Sequence, residues 1–217
     1  MALILHIETA TKICSVALSE KGNILQVISE EGEGFIHGER LSILIDLVMK
    51  NGNRDFKELQ AVSISIGPGS YTGLRIGLST VKGLVFALKC PIIALDTLEI
   101  LAKSHANKGN IISMIDARRM EVYAFGIDGS KKSIFSSKPV ILEAQTFSVF
   151  EPFLCIGDGA LKTKEIWSGR AINYDDDFRL DASLQCKISY EKYLKKEFSS
   201  PEHLVPNYLK DFQLNKS

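Results

Sequence analysis

The sequence predicts an α/β protein in which one β-β-β-α-β-α unit is used twice. Three observations lead there. Apolar runs at 3–7, 13–18 and 24–29 are separated by turn signals and precede a helical pattern, which reads as a three-strand meander followed by a helix. The order of elements then restarts near residue 111. Both starts, LHIETATKICSVALSEKG and SMIDARRMEVYAFGIDGS, hold an apolar strand ending in an acid, Glu8 or Asp116. Each turns tightly into a second strand that closes on a polar Gly turn. Two consecutive halves follow, 1–106 and 107–217.

In the first half, Gly22-Asn23 is the turn before the third strand, and HGERLSILIDLVMKNG gives a helix over 38–50 that stops at Asn51-Gly52. AVSISI at 61–66 is a strand. The loop GPGSYTG, 67–73, leads into a helix over 74–89 that Pro91 stops. Strand 92–95 and a helix capped at Asp96 or Thr97, running to about 106, complete the half. The second half reads as strands 111–115, 121–127 and 134–141, helix 143–150, strand 153–156, helix 160–167, strand 171–173 and helix 181–196. The tail, 197–217, is polar and irregular apart from Pro206–Leu209.

Composition narrows the function. The 217 residues carry no formal net charge, which disfavours tight independent binding to nucleic acid or an anionic membrane while leaving room for a local basic patch. Cys14, Cys90, Cys155 and Cys186 form no CxxC pair and lie in or beside apolar segments, as buried reduced thiols of a cytoplasmic protein do. The opening MALILHIET is too short an apolar run for a signal peptide. No stretch reaches membrane-spanning length, since Arg75 and Lys82 interrupt the most apolar helix.

A β-β-β-α-β-α unit used twice is the pattern of the actin-like (ASKHA, ribonuclease H-like) ATPase fold. Active members cradle phosphate in each first hairpin turn, where an Asp holds metal-bound water and Gly with Ser or Thr lets amides approach the phosphate. Here the first turn is Glu8-Thr9-Ala10-Thr11-Lys12 and the second Asp116-Ala117-Arg118-Arg119-Met120-Glu121. Neither contains a glycine, so productive ATP hydrolysis by this chain alone is not expected. The remaining candidates for nucleotide or anion contact are Glu8, Thr9, Thr11, Asp116 and Arg118 in the turns, and Ser70 and Thr72 in the Gly-rich loop. Gly157, Asp158 and Gly159 join them, because a Gly pair between strand and helix often lies beneath adenosine in this fold. The plainer reading makes these loops tight connections and Arg118 and Arg119 surface salt-bridge partners.

The helices carry a clearer message. Gly73, Gly77, Thr80, Gly83 and Ala87 make a narrow small-residue stripe beside an apolar face that includes Leu74, Leu78 and Val81. An interior helical glycine costs about 1 kcal/mol relative to alanine, so Gly77 and Gly83 call for close approach by the protein's own sheet or by another chain. Helix 38–50 has a core face of Leu41, Leu44, Ile45 and Val48 and a second apolar face of Ile43 and Leu47. The partner or dimer surface is therefore expected at Leu41, Leu44, Ile45, Val48, Gly73, Leu74, Gly77, Leu78 and Val81. No metal site is expected: His37 has Leu41 where a second histidine would complete one helix face.

These residues together resemble the TsaB (YeaZ) family. The carrying segments are IETATKICSVAL at 7–18, His37 with LSILI, IGPGSYTGLRIGLSTVKGL at 66–84, MIDARRMEVYAF at 114–125, IGDGA at 156–160 and PNYL at 206–209. The stretch 66–84 is the most specific, and 130–200 carries the least. Glu8 departs from the family, which more often has Asp there. The resemblance implies a non-catalytic, actin-like subunit that binds the transferase TsaD through its N-terminal helices, alongside the small ATPase TsaE. It implies a homodimer when isolated, contact with tRNA only through the complex, no cofactor of its own, and ATP or ADP only at the partner interface. The complex transfers a threonylcarbamoyl group to N6 of the adenosine beside the anticodon in tRNA. The alternatives are a stand-alone actin-like ATPase or small-molecule kinase resting on Glu8, Asp116 and Gly157–Gly159, and, more weakly, a peptidase using Ser70 or His37.

Overall fold

A computed structural model describes residues 2–32, 36–105 and 108–210. The chain folds into two compact units. The first takes Met1–Ile100 together with Arg179–Pro206, and the rest of the chain makes the second.

The first unit is built on a five-stranded sheet in the order β3-β2-β1-β4-β5. Strands β1 (Leu3–Glu8), β2 (Ile13–Glu20) and β3 (Asn23–Glu31) form the antiparallel meander, and β4 (Ala61–Ser65) and β5 (Ile92–Leu95) add in parallel. Strand alternation divides the sheet into two unlike faces. Leu3, Leu5 and Ile7, Cys14, Val16 and Leu18, and Val62 and Ile64 point to the apolar core, where helices α1 (Ile36–Asn51) and α2 (Tyr71–Leu88) cover them. His6 and Glu8, Ser15, Ala17 and Ser19, and Ser63 and Ser65 occupy the alternate positions and are also buried. Helix α3 (Thr97–Ser104) follows β5, and the Asp96 side chain accepts from the Leu98 and Glu99 amides at its start.

The second sheet repeats the order as β8-β7-β6-β9-β10. Its strands are β6 (Asn110–Asp116), β7 (Glu121–Ile127), β8 (Ser133–Ile141), β9 (Phe153–Ile156) and β10 (Ile172–Asp175), with the same two antiparallel and two parallel pairings. This is the duplicated α/β architecture expected of an actin-like fold. Its aromatic core stacks Phe135 on Phe147 at 5.1 Å and sets Trp167 edge-on to Phe153 at 6.1 Å.

Four local expectations change. Helix α2 starts three residues earlier than read, because Ser70 Oγ accepts the Gly73 amide at 3.2 Å and draws Tyr71-Thr72-Gly73 into the first turn. Between 143 and 150 only Ser148–Phe150 is helical, as a short 3-10 turn. The predicted helix 160–167 is a 3-10 turn over Asp158–Lys162 followed by α4 (Thr163–Ile166). The last predicted helix appears as a 3-10 turn over Ala182–Leu184 leading into α5 (Gln185–Leu194), and it packs in the first unit rather than in the half that encodes it. The reason is the polar sheet face: Ser63 Oγ donates to Gln185 Oε1 at 2.8 Å, Ser189 Oγ to Ser63 Oγ at 2.7 Å, and Gln185 Nε2 to the Ile7 carbonyl at 2.8 Å. All four cysteines are free thiols. No helix among the described residues is long and apolar enough to cross a membrane.

Candidate functional site

The two acids that close β1 and β6 stand at equivalent places in the two sheets, yet their surroundings differ. Glu8 is fully buried and, among the described residues, faces no cation. Its Oε1 accepts from the Ser65 hydroxyl at 2.6 Å and the Ala10 amide at 2.9 Å, and its Oε2 from Gln185 Nε2 at 3.2 Å. Burial raises its pKa to about 7 against these hydrogen bonds, which lower it. Such a carboxyl is engaged on every side by its own chain.

The rest of the first turn is enclosed as well. Thr9 and Ala10 are buried, and the Gly-rich loop and α2 press onto them. The Ser70 amide donates to the Ala10 carbonyl at 2.7 Å. A Cβ at Gly69 would stand 2.5 Å from that carbonyl, at Gly73 2.1 Å from the Thr9 carbonyl, and at Gly77 2.4 Å from Thr9 Oγ1. His37 Nε2 bonds the Thr11 carbonyl at 2.8 Å, closing the turn from α1. The stripe of small residues read at Gly73 and Gly77 thus has an internal cause: it admits the 9–11 backbone. A phosphate would need free amides and open space; here the Ala10 amide is held by Glu8, and the loop and helix fill the space at the Thr9 and Ala10 carbonyls. The first turn therefore does not fit a nucleotide's phosphates, and Glu8 and Thr9 are interior groups. Ser70 and His37, the two residues considered for a peptidase, serve as helix cap and tether.

In the second unit Asp116, Asp158 and the glycines do come together, on one another. The Asp116 amide donates to Asp158 Oδ1 at 2.8 Å. Lys162 Nζ lies 2.5 Å from Asp116 Oδ1 and donates to the Arg119 carbonyl at 2.6 Å and the Glu121 carbonyl at 3.2 Å. Gly157, at φ 115°, would put a Cβ 2.0 Å from the Met114 carbonyl, and Gly159 a Cβ 3.0 Å from the Ile115 carbonyl carbon. The Asp116, Ala117 and Arg118 amides are taken up by protein acceptors, while the turn itself stays exposed. Sequence reasoning missed Lys162, whose place beside Asp116 depends on the 3-10 turn over Asp158–Lys162. Among the described residues no group of three or more His, Cys, Asp and Glu side chains is placed to hold a metal ion. Asp175 closes β10 and pairs with His105 at 3.0 Å.

The expected partner residues need correction. Leu41, Leu44, Ile45, Val48, Gly73, Leu74, Gly77, Leu78 and Val81 are all buried within the first unit. They form the layer between helices and sheet, because each helix turns its richer apolar stripe toward the larger apolar surface available. What α1 and α2 leave outside is the second, thinner face: Ile43 at 41% exposure, Leu47 at 37% and Phe86 at 76%, with Gly83 having no neighbour within 4 Å of a built Cβ. Around it α1 carries the exposed acids Glu39 and Asp46, seven residues apart, and α2 carries Arg75 and Lys82 at the same spacing.

Comparison with known proteins adds the following. The family model "TsaD: tRNA N6-adenosine threonylcarbamoyltransferase" matches residues 34–149. The tRNA threonylcarbamoyladenosine biosynthesis protein TsaB of Haemophilus influenzae is 26% identical over 96% of this chain and 93% of its own length. The solved structure of YeaZ from Pseudomonas aeruginosa superposes with a TM-score of 0.82 at 24% identity, covering 96% of this chain and all of that one. Component A of (R)-2-hydroxyglutaryl-CoA dehydratase from Acidaminococcus fermentans shares the fold at a TM-score of 0.53 and 8% identity, covering 89% of this chain and all of its own.

Proposed function

The chain belongs to the family described by the TsaD model, in its TsaB (YeaZ) branch, and from that premise we propose that it is a non-catalytic subunit that assembles with, and activates, a TsaD-like transferase. Its role lies in tRNA threonylcarbamoyladenosine biosynthesis, the addition of a threonylcarbamoyl group to N6 of the adenosine beside the anticodon. The observation that carries the reading is the closure of the first turn: Glu8 and Thr9 are buried under the chain's own loop 67–73 and α2. The second turn, where Lys162 is bound to Asp116 and two carbonyls, supports it. A chain that fills its own first phosphate turn contributes through its surface, so ATP or ADP belongs at a partner interface and a TsaE-like ATPase joins through the complex.

The partner surface in this reading is the outer face of α1 and α2, centred on Ile43, Leu47, Gly83 and Phe86. An apolar centre rimmed by charge of both signs has the composition of a protein interface. When the chain is alone, the acidic edge of α1 complements the basic edge of α2 across a two-fold axis, so a homodimer competes with the heterodimer. The test is co-purification with the transferase from the same genome, using Leu47→Glu and Phe86→Glu. Capture is expected to fall at least tenfold, with the melting temperature unchanged within about 2 °C because surface substitutions change stability little. Undiminished capture by both variants would refute the assignment of this surface.

A further inference from the structure

We propose that the turn between β6 and β7 is a phosphate-contacting arm that touches the tRNA directly, a contact that rests on the reading of the chain as a subunit of a tRNA-modifying complex. Arg118 and Arg119 sit consecutively at φ 69° and 52°, in the left-handed region that side-chain-bearing residues avoid. No glycine relieves them. The conformation is held from beneath: the Arg118 amide donates to Asp116 Oδ1 at 2.5 Å, the Ala117 amide to the Glu121 carbonyl at 3.2 Å, and the Leu142 amide to the Met120 carbonyl at 2.9 Å. Lys162 ties down the Arg119 and Glu121 carbonyls. Strained backbone maintained by this many bonds is a feature of functional positions.

The same bonds use up the local acids. Asp116 is paired with Lys162, and Glu121 with Lys210. Both arginines are exposed, and neither guanidinium pairs with an acid among the described residues. Paired guanidiniums with no internal counter-charge suit phosphate oxygens. An apolar rim surrounds the turn: Met120 at 46% exposure, Ile141 at 67%, opposite Glu121 in the β7–β8 register, and Leu161 at 62%, one residue before Lys162. A free phosphate ion has no use for that rim, whereas a polynucleotide sets ribose and base faces beside its phosphates. The formal net charge of zero makes such a contact weak for the isolated chain, so it acts as one part of a larger RNA-binding surface.

The experiment uses the assembled complex of this chain with its transferase and an unmodified tRNA transcript. Binding is measured between 50 and 300 mM salt for wild type, for the double variant Arg118→Ala with Arg119→Ala, and for the corresponding double lysine variant. The alanine variant is expected to bind about tenfold more weakly at low salt, with the slope of log affinity against log salt shallower by roughly 1.5. The lysine variant should recover most of that slope, while capture of the transferase stays at the wild-type level in all three. Unchanged affinity and slope in the alanine variant overturn this inference and leave the subunit reading standing. Loss of transferase capture overturns it in favour of a protein-binding turn, and failure of the wild-type chain to assemble removes both readings.

Discussion

Glu8 shows how one buried acid couples the stability of the fold to pH. Its pKa rises from 4.5 to about 7 through burial, so the folded chain holds a proton between those values that the unfolded chain releases. The associated stability is fully present below pH 4.5 and is lost as pH rises to about 7, amounting to about 3 kcal/mol at most. Glu8→Gln should therefore gain stability relative to wild type as pH rises through this window and hold a constant difference above it; a pH-independent difference in urea midpoints would contradict the shift. His6 works in the opposite sense. Burial depresses its pKa to about 3, so its contribution is present above 6.5 and lost as pH falls, which is why the Glu8 effect must be read as a difference between proteins. The helical glycines give a second contrast. Gly73→Ala forces a Cβ to within 2.1 Å of the Thr9 carbonyl and should destabilise the chain by about 2 kcal/mol or more. Gly83→Ala meets nothing within 4 Å and should stabilise the isolated chain by up to about 1 kcal/mol, while weakening partner capture. Thermal denaturation of the pair, followed by co-purification, checks both.

At the scale of elements, α5 carries the main departure from a simple repeat. It docks on the first sheet through a polar seam in which Gln185, Ser189, Ser63 and Glu8 satisfy one another, with only the small residues Ala17, Ala182 and Cys186 as an apolar cluster. A seam of this kind is exacting, since each buried group left without its partner costs about 1–3 kcal/mol. Gln185→Ala strips partners from Ser63, the Ile7 carbonyl and Glu8 and should cost about 3 kcal/mol in denaturant unfolding; a loss within 0.5 kcal/mol, about what a surface change costs, would show that α5 contributes little. Helices α1 and α2 follow the opposite rule, with a thick apolar face inward and a thin one outward. A charge placed at Leu74 or Val81 therefore tests the core and not the partner surface, and loss of folding is the expected result.

For the whole molecule, the duplicated sheet order provides two equivalent strand ends that the chain treats differently: a glycine-lined helix encloses the one at Glu8, while a lysine pairs with Asp116 at the other and leaves its turn exposed. This is the physical basis for reading the chain as a subunit that acts through surfaces. Much of this organisation was legible beforehand. The three-strand starts, the acid at each strand end and the repeat of the order all follow from periodicity and turn residues, which act locally. The outer face of α1 and α2 was half legible: Ile43, Leu47 and Gly83 were visible as an excess, but the richer stripes, which the sheet covers, were named as the partner surface. Single-helix patterns count apolar faces without saying which one the sheet will take.

By itself the sequence determined the fold class, the position of nearly every strand and the duplication, because alternation, helical period and turn chemistry are properties of neighbouring residues. Only the tertiary structure decided that α5 serves the first sheet, that Lys162 neutralises Asp116, and that the 67–73 loop fills the first turn. Each of these brings together residues distant along the chain, and which distant groups meet is set by the packing of whole elements, which no local pattern records.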